Sequence, residues 1–201
     1  KYLPRLVKKK EEGSKQADEA MVYKTIAEIN GGNFFDGAER LQELYEKDPY
    51  KSKELKTMIA RTYAQFLIDQ KEYEAALDPL QKAEYFSSNK DERVRLFYVM
   101  GQIFSKLNKQ QEAGEAFTKV FKMKPGFDLE VKSQLAIAAN FDPKINNYAN
   151  YKENLLDLSE KGIYTSKKNE FYYGISEMAL RADNMDDAIK YAQLSLKEPM
   201  S

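Results

Sequence analysis

A small residue recurs along this chain at a nearly constant interval. Ala38, Ala76 and Ala113 lie 38 and 37 residues apart, each within a run whose apolar residues recur at helical spacing. A period of this size restricts the fold more than any other feature. Two-helix units of that length cannot bury their apolar faces alone, so copies must stack. The most complete copy runs over residues 94–127. In it Phe97, the pair Met100-Gly101, Phe104, Ala113, Phe117 and Pro125 follow one another without a gap. Two antiparallel helices approach closely only where a side chain is tiny. Gly101 on the first helix and Ala113 on the second supply that, and Phe97, Phe104 and Phe117 fill the space beside the contact.

These positions resemble the tetratricopeptide repeat (TPR), a helix–turn–helix unit of roughly 34 residues. Residues 57–90 align the same way. Tyr63-Ala64 replace the Leu-Gly pair, Leu67 fills the Tyr slot, Ala76 and Ala83 are the small positions, and Leu80 is the large one. A unit at 20–50 carries Val22, Ile26 and Ile29, the turn Gly31-Gly32-Asn33, then Ala38, Leu41 and Tyr45. A unit at 170–201 carries Ile175-Ser176 and Ala188. A degenerate pair at 128–162 has one stripe of Val131, Leu135 and Ala138 and another of Tyr148, Tyr151, Leu155 and Leu158, divided by Asp142-Pro143. Residues 1–19 are expected to be an N-terminal helical segment whose relation to the repeats the sequence leaves open. The expected fold is all-α: a right-handed TPR solenoid of about five helix pairs with no sheet. Pro79 falls inside a predicted second helix, which should be kinked there or start late.

Three strings in the second half add a narrower resemblance. They are Arg93-Val-Arg-Leu-Phe-Tyr-Val-Met-Gly-Gln-Ile-Phe, Leu129-Glu-Val-Lys-Ser-Gln-Leu-Ala-Ile-Ala and Asn169-Glu-Phe-Tyr-Tyr-Gly-Ile-Ser-Glu-Met-Ala-Leu. In this order and spacing they resemble the TPR lipoproteins of the Bacteroidetes type IX secretion system, the PorW/SprE kind. The resemblance spans residues 57–200. It implies a periplasmic protein tied to the outer membrane by a lipid anchor outside this chain, connecting the translocon with other secretion and gliding-motility components. It brings no catalytic motif.

Composition removes several alternatives. With no Cys and no His, the chain has no thiolate nucleophile, no imidazole base and few zinc-type donors. Its 32 basic and 32 acidic residues cancel, in each half as well as overall, which disfavours a nucleic-acid partner. The triplet Lys8, Lys9, Lys10 is followed at once by Glu11 and Glu12 and reads as a solvated helix face. No apolar run is long enough to span a bilayer. The absence of an apolar signal segment at Lys1 suggests a trimmed or mature fragment. The cluster Asp183-Asn-Met-Asp-Asp187 lacks the Gly and Glu that a calcium loop needs at its sixth and twelfth positions, so it reads as a helix cap. Ser87 and Lys90 have Ser-Lys spacing but sit in a predicted turn without partner motifs. No metal, cofactor or small-molecule substrate is expected, and no catalytic residue.

What remains is protein recognition. In a TPR array the first helices line the concave face. By register their residues outside the packing slots are Arg61, Gln65 and Asp69; Tyr98, Gln102 and Lys106; and Tyr173, Glu177 and Arg181. Tyr and Arg are types that interfaces favour, and Arg61, Gln65, Tyr98, Gln102, Tyr173 and Glu177 are the candidate partner-binding set. Ala76, Gly101, Ala113 and Ala188 are the structural repeat positions. Arg61 and Gln65 occupy two slots of the clamp that reads C-terminal carboxylates, but Val99 stands where an Asn is needed. The expected function is a non-catalytic scaffold for secretion-translocon proteins. A generic TPR adaptor, cytoplasmic or periplasmic, is the alternative.

Overall fold

The computed structural model of the protein describes residues 15–31, 34–49 and 52–198. The segment 1–14, with its lysine triplet, and the Gly32-Asn33 part of the first predicted turn lie outside the described residues. Among the described residues the chain is all-α, without strands. The helices are α1 (Lys15–Asn30), α2 (Phe34–Lys47), α3 (Lys53–Asp69), α4 (Tyr73–Phe86), α5 (Lys90–Lys106), α6 (Gln110–Lys122), α7 (Phe127–Ala139), α8 (Tyr148–Ser159), α9 (Lys168–Arg181) and α10 (Met185–Lys197). A 3-10 segment, Gly162–Lys167, leads into α9. None of these helices is long and apolar enough to cross a membrane. The chain divides into two compact units, Lys1–Leu96 and Phe97–Ser201, with the division inside α5.

One turn is built three times at the same place in the repeat. Lys71, Asn108 and Asp183 have φ of 64°, 57° and 55°. The next residue's N–H then bonds to a carbonyl five residues back: Glu72 to Leu67 at 2.8 Å, Lys109 to Phe104 at 2.9 Å and Asn184 to Ala179 at 2.9 Å. This left-handed closure satisfies carbonyls that a helix end would otherwise leave bare. It also sets the start of the second helix, because the carbonyls of Glu72, Lys109 and Asn184 accept from Ala76, Ala113 and Ala188. The small alanine is thereby fixed one turn into that helix.

In the first unit, Val22, Leu41, Leu44, Leu55 and Ile59 form a core, with Tyr45, Tyr63 and Phe66 packed against it. Ala64, Ala76 and Ala83 are fully buried where α3 meets α4. Helix α4 begins at Tyr73 and runs through the buried Pro79. Of the two outcomes expected at Pro79, a kink or a late start, the late start does not occur.

In the second unit, Ala113, Phe117 and Ile137 form one cluster. Gly101 packs on the ring of Phe117. A Cβ on Gly101 would lie 2.8 Å from two atoms of the Phe117 ring. The larger cluster gathers Val131 and Ala138 from α7, Phe141, Leu155 from α8, Phe171, Ile175 and Met178 from α9 and Tyr191 from α10. Both α7 and α8 pack on α9, which is why their sequence pattern departs from that of a self-contained pair. In the pair Ile175-Ser176, where the repeat pattern has Gly at the second place, the buried Ser176 hydroxyl donates to the Ala188 carbonyl at 2.9 Å.

Candidate functional site

The sequence-derived candidates fall in both units. In the first, Arg61 and Gln65 are exposed on α3. Arg61 Nη1 is 2.8 Å from Glu92 Oε1, and Gln65 Nε2 donates to Asp69 Oδ1 at 2.7 Å. An exposed ion pair of this kind is worth little, so neither contact commits the side chain. Glu92 also accepts from Ser87 Oγ at 2.6 Å, and Asn89 Oδ1 caps α5 by accepting from Asp91 and Glu92 N–H. Ser87 thus belongs to the turn that starts α5, its hydroxyl bonded to Glu92. Elsewhere in this unit, Tyr45, Asp78, Lys82 and Tyr85 line a cleft of ≈ 340 Å³. The Tyr45 hydroxyl donates to Asp78. Burial, then that bond, raises the Tyr45 phenol above its ordinary range.

In the second unit the candidates separate by burial. Gln102 is exposed on α5, while Tyr98 is half-buried. The Tyr98 ring meets Phe117 edge-on, with centroids 5.4 Å apart, and belongs to the cluster of Ala113, Phe117 and Ile137. Tyr98 is therefore a packing residue as well as a surface one, which its register alone does not reveal. Tyr173 is 59% exposed, although the Tyr172 beside it packs inward.

Helix α9 carries a stripe at i, i+4 spacing: Asn169, Tyr173, Glu177 and Arg181. Together with Leu135 of α7 they line a groove of ≈ 580 Å³, within the range of roughly 300–1,000 Å³ typical of ligand pockets. Arg181 is not a free cation here. Its Nη1 donates to the carbonyls of Ala138 at 3.1 Å and Ala139 at 2.5 Å, where a positive charge suits the end of α7. Glu170 is held by Lys167 at 2.7 Å. The sequence reading misses Asn169 and Leu135. Asn169 could have been found, since it lies one turn before Tyr173 on the same helix face.

The acidic cluster does cap α10, through Asn184, whose side chain accepts from Asp187 N–H at 3.1 Å. The Asp187 carboxylate has a separate structural job. It takes 2.8 Å bonds from Tyr148 Oη and from Lys152 Nζ, tying α8 to α10. The Lys152 bond, helped by Tyr148 and opposed by burial, holds the Asp187 carboxyl below its usual value. No group of three or more Asp or Glu is placed to hold a metal ion among the described residues.

Residues 94–127 match the family model of the tetratricopeptide repeat, the same span that the hallmark residues delimit. No curated protein and no solved structure matches the chain. The matched repeat, the all-helical architecture and the turn repeated at Lys71, Asn108 and Asp183 describe a TPR-like helical repeat protein. Repeats of this kind serve as protein–protein interaction scaffolds.

Proposed function

We propose that the chain is a non-catalytic scaffold that binds partner proteins through the outward residues of its first helices, in the setting of type IX protein secretion and gliding motility. The scaffold part is carried by the TPR repeat at 94–127. Its first and second helices spend Phe97, Gly101, Ala113 and Phe117 on one another and leave residues such as Gln102 exposed. The six-residue set Arg61, Gln65, Tyr98, Gln102, Tyr173 and Glu177 supplies the contacts, with Tyr98 partly committed to packing. The finer assignment, a periplasmic, outer-membrane-associated component anchored by a lipid outside this chain, rests on the three resembling strings alone.

Affinity capture with chemical crosslinking from the native cell tests both levels. The scaffold reading expects a small, reproducible set of partners at near-stoichiometric yield. Recovery of none above background refutes it. The secretion assignment expects translocon components among those partners and co-fractionation with the outer membrane. A partner set of cytoplasmic proteins refutes that assignment and leaves the scaffold standing.

A further inference from the structure

The groove along α9 differs from an ordinary solvated helix face in which of its charges are already spent. Arg181 donates to the carbonyls that end α7, and Glu170 is paired with Lys167. Among the described residues no ion pair or hydrogen bond occupies the Glu177 carboxylate. One helical turn away stands the Tyr173 ring, 59% exposed. On a helix, residues four apart are neighbours, with Cβ atoms about 5–6 Å apart. A third group points the same way. Asn169 lines the groove, and its Oδ1 is shut off from solvent without a donor. Buried acceptors of this kind are uncommon in folded proteins, and a terminal amide turns readily about its last bond. Between these groups the wall is apolar, formed by Leu135 and by Gly174, which packs against it.

We infer that this groove holds a segment of a partner polypeptide that presents an arginine or lysine side chain. The cation sits between the Glu177 carboxylate and the Tyr173 ring, the segment's aliphatic portion lies on Leu135 and Gly174, and one of its N–H groups supplies Asn169 Oδ1. Charge complementarity selects this occupant. A cation gains from both the free carboxylate and the aromatic face, whereas an acidic segment would set like charges together at Glu177. The inference rests on the scaffold reading and names the chemistry of the partner at one of its surfaces.

The test uses the 201-residue chain labelled with nitrogen-15. It is titrated with three acetylated, amidated pentapeptides, Gly-Leu-Xaa-Leu-Gly, in which Xaa is arginine, its neutral isostere citrulline, or glutamate. The arginine peptide should shift amide signals clustered between residues 169 and 181 and bind about tenfold more tightly than the citrulline peptide. Glu177→Gln should erase that preference, Tyr173→Ala should weaken arginine binding several-fold, and Glu177→Lys should transfer the preference to the glutamate peptide. Melting curves matching the parent check that these surface variants fold. Equal affinity for arginine and citrulline, no binding of either, or shifts confined to other helices would each overturn the inference. Failure of the scaffold reading is a different result, the absence of captured partners, and is read from the crosslinking experiment.

Discussion

Two glycines of the same repeat should respond to the same substitution with opposite signs. A Cβ at Gly101 would lie 2.8, 2.8 and 3.0 Å from three atoms of the Phe117 ring. Carbon atoms at rest sit roughly 3.5–4.0 Å apart, so either the ring or α5 must move. Phe117 has little room to yield, being 2% exposed and held by Tyr98, Ala113 and Ile137. Overpacking of this kind costs about 1–3 kcal/mol. The better helix propensity of alanine returns about 0.8–1.0 kcal/mol. Gly101→Ala should therefore destabilise by about 1 kcal/mol. Gly101→Leu adds three more carbons against the same ring and should cost about 3 kcal/mol or more. Gly114 lies inside α6 with nothing within 4 Å of its absent Cβ. Gly114→Ala should keep only the propensity gain and stabilise by about 0.5–1 kcal/mol. Urea titration followed by helical circular dichroism measures both, provided the slopes agree. A Gly101→Ala chain as stable as Gly114→Ala would show that α5 and α6 do not approach at Gly101, and the repeat register would be wrong.

Three further expectations use the same assay. Tyr98→Ala should cost about 2 kcal/mol because it opens the Phe117 cluster, while Tyr173→Ala should cost under about 0.5 kcal/mol. Equal effects would erase the distinction between the two tyrosines. Lys71→Gly should stabilise by about 0.5–1 kcal/mol, because a left-handed φ is costly for lysine and free for glycine. Asn108→Gly should gain less, since Asn tolerates that region. Asp187→Asn should lose about 1.5 kcal/mol at neutral pH. Because Lys152 lowers the folded-state value of Asp187, the parent's advantage should be complete above the ordinary carboxylate value of about 3.9 and vanish as pH falls through the lower folded value. The Asp187 bond also raises Lys152, so the same advantage should fade again in strong alkali. An advantage unchanged at pH 2 would mean that the Asp187 tie is not ionic.

How much the sequence disclosed depends on how local each cause is. Slot residues such as Ala76, Gly101, Ala113 and Ala188 were legible because a two-helix unit fixes their spacing. The three left-handed turn residues fall at one slot but are Lys, Asn and Asp, so no residue type announces them. Phe141 was invisible as a core residue, because it lies between helices and is buried by the packing of α7, α8 and α9. The candidate surface was legible as a register and no further. Periodicity distinguishes inward from outward positions. It does not show that Tyr98 bends onto Phe117 while Tyr173 stays exposed, or that Arg181 is spent on the end of α7 while Glu177 is left without a partner among the described residues.

The claim that first-helix surfaces bind partners can be tested by placing a photo-crosslinking amino acid, one site at a time, in the native cell. Arg61, Gln102 and Tyr173 report on first helices, and Gln81, Glu115 and Gln193 on exposed positions of second helices. The account predicts discrete protein adducts from the first group and none above background from the second. Adducts only from Gln81, Glu115 and Gln193 would contradict it.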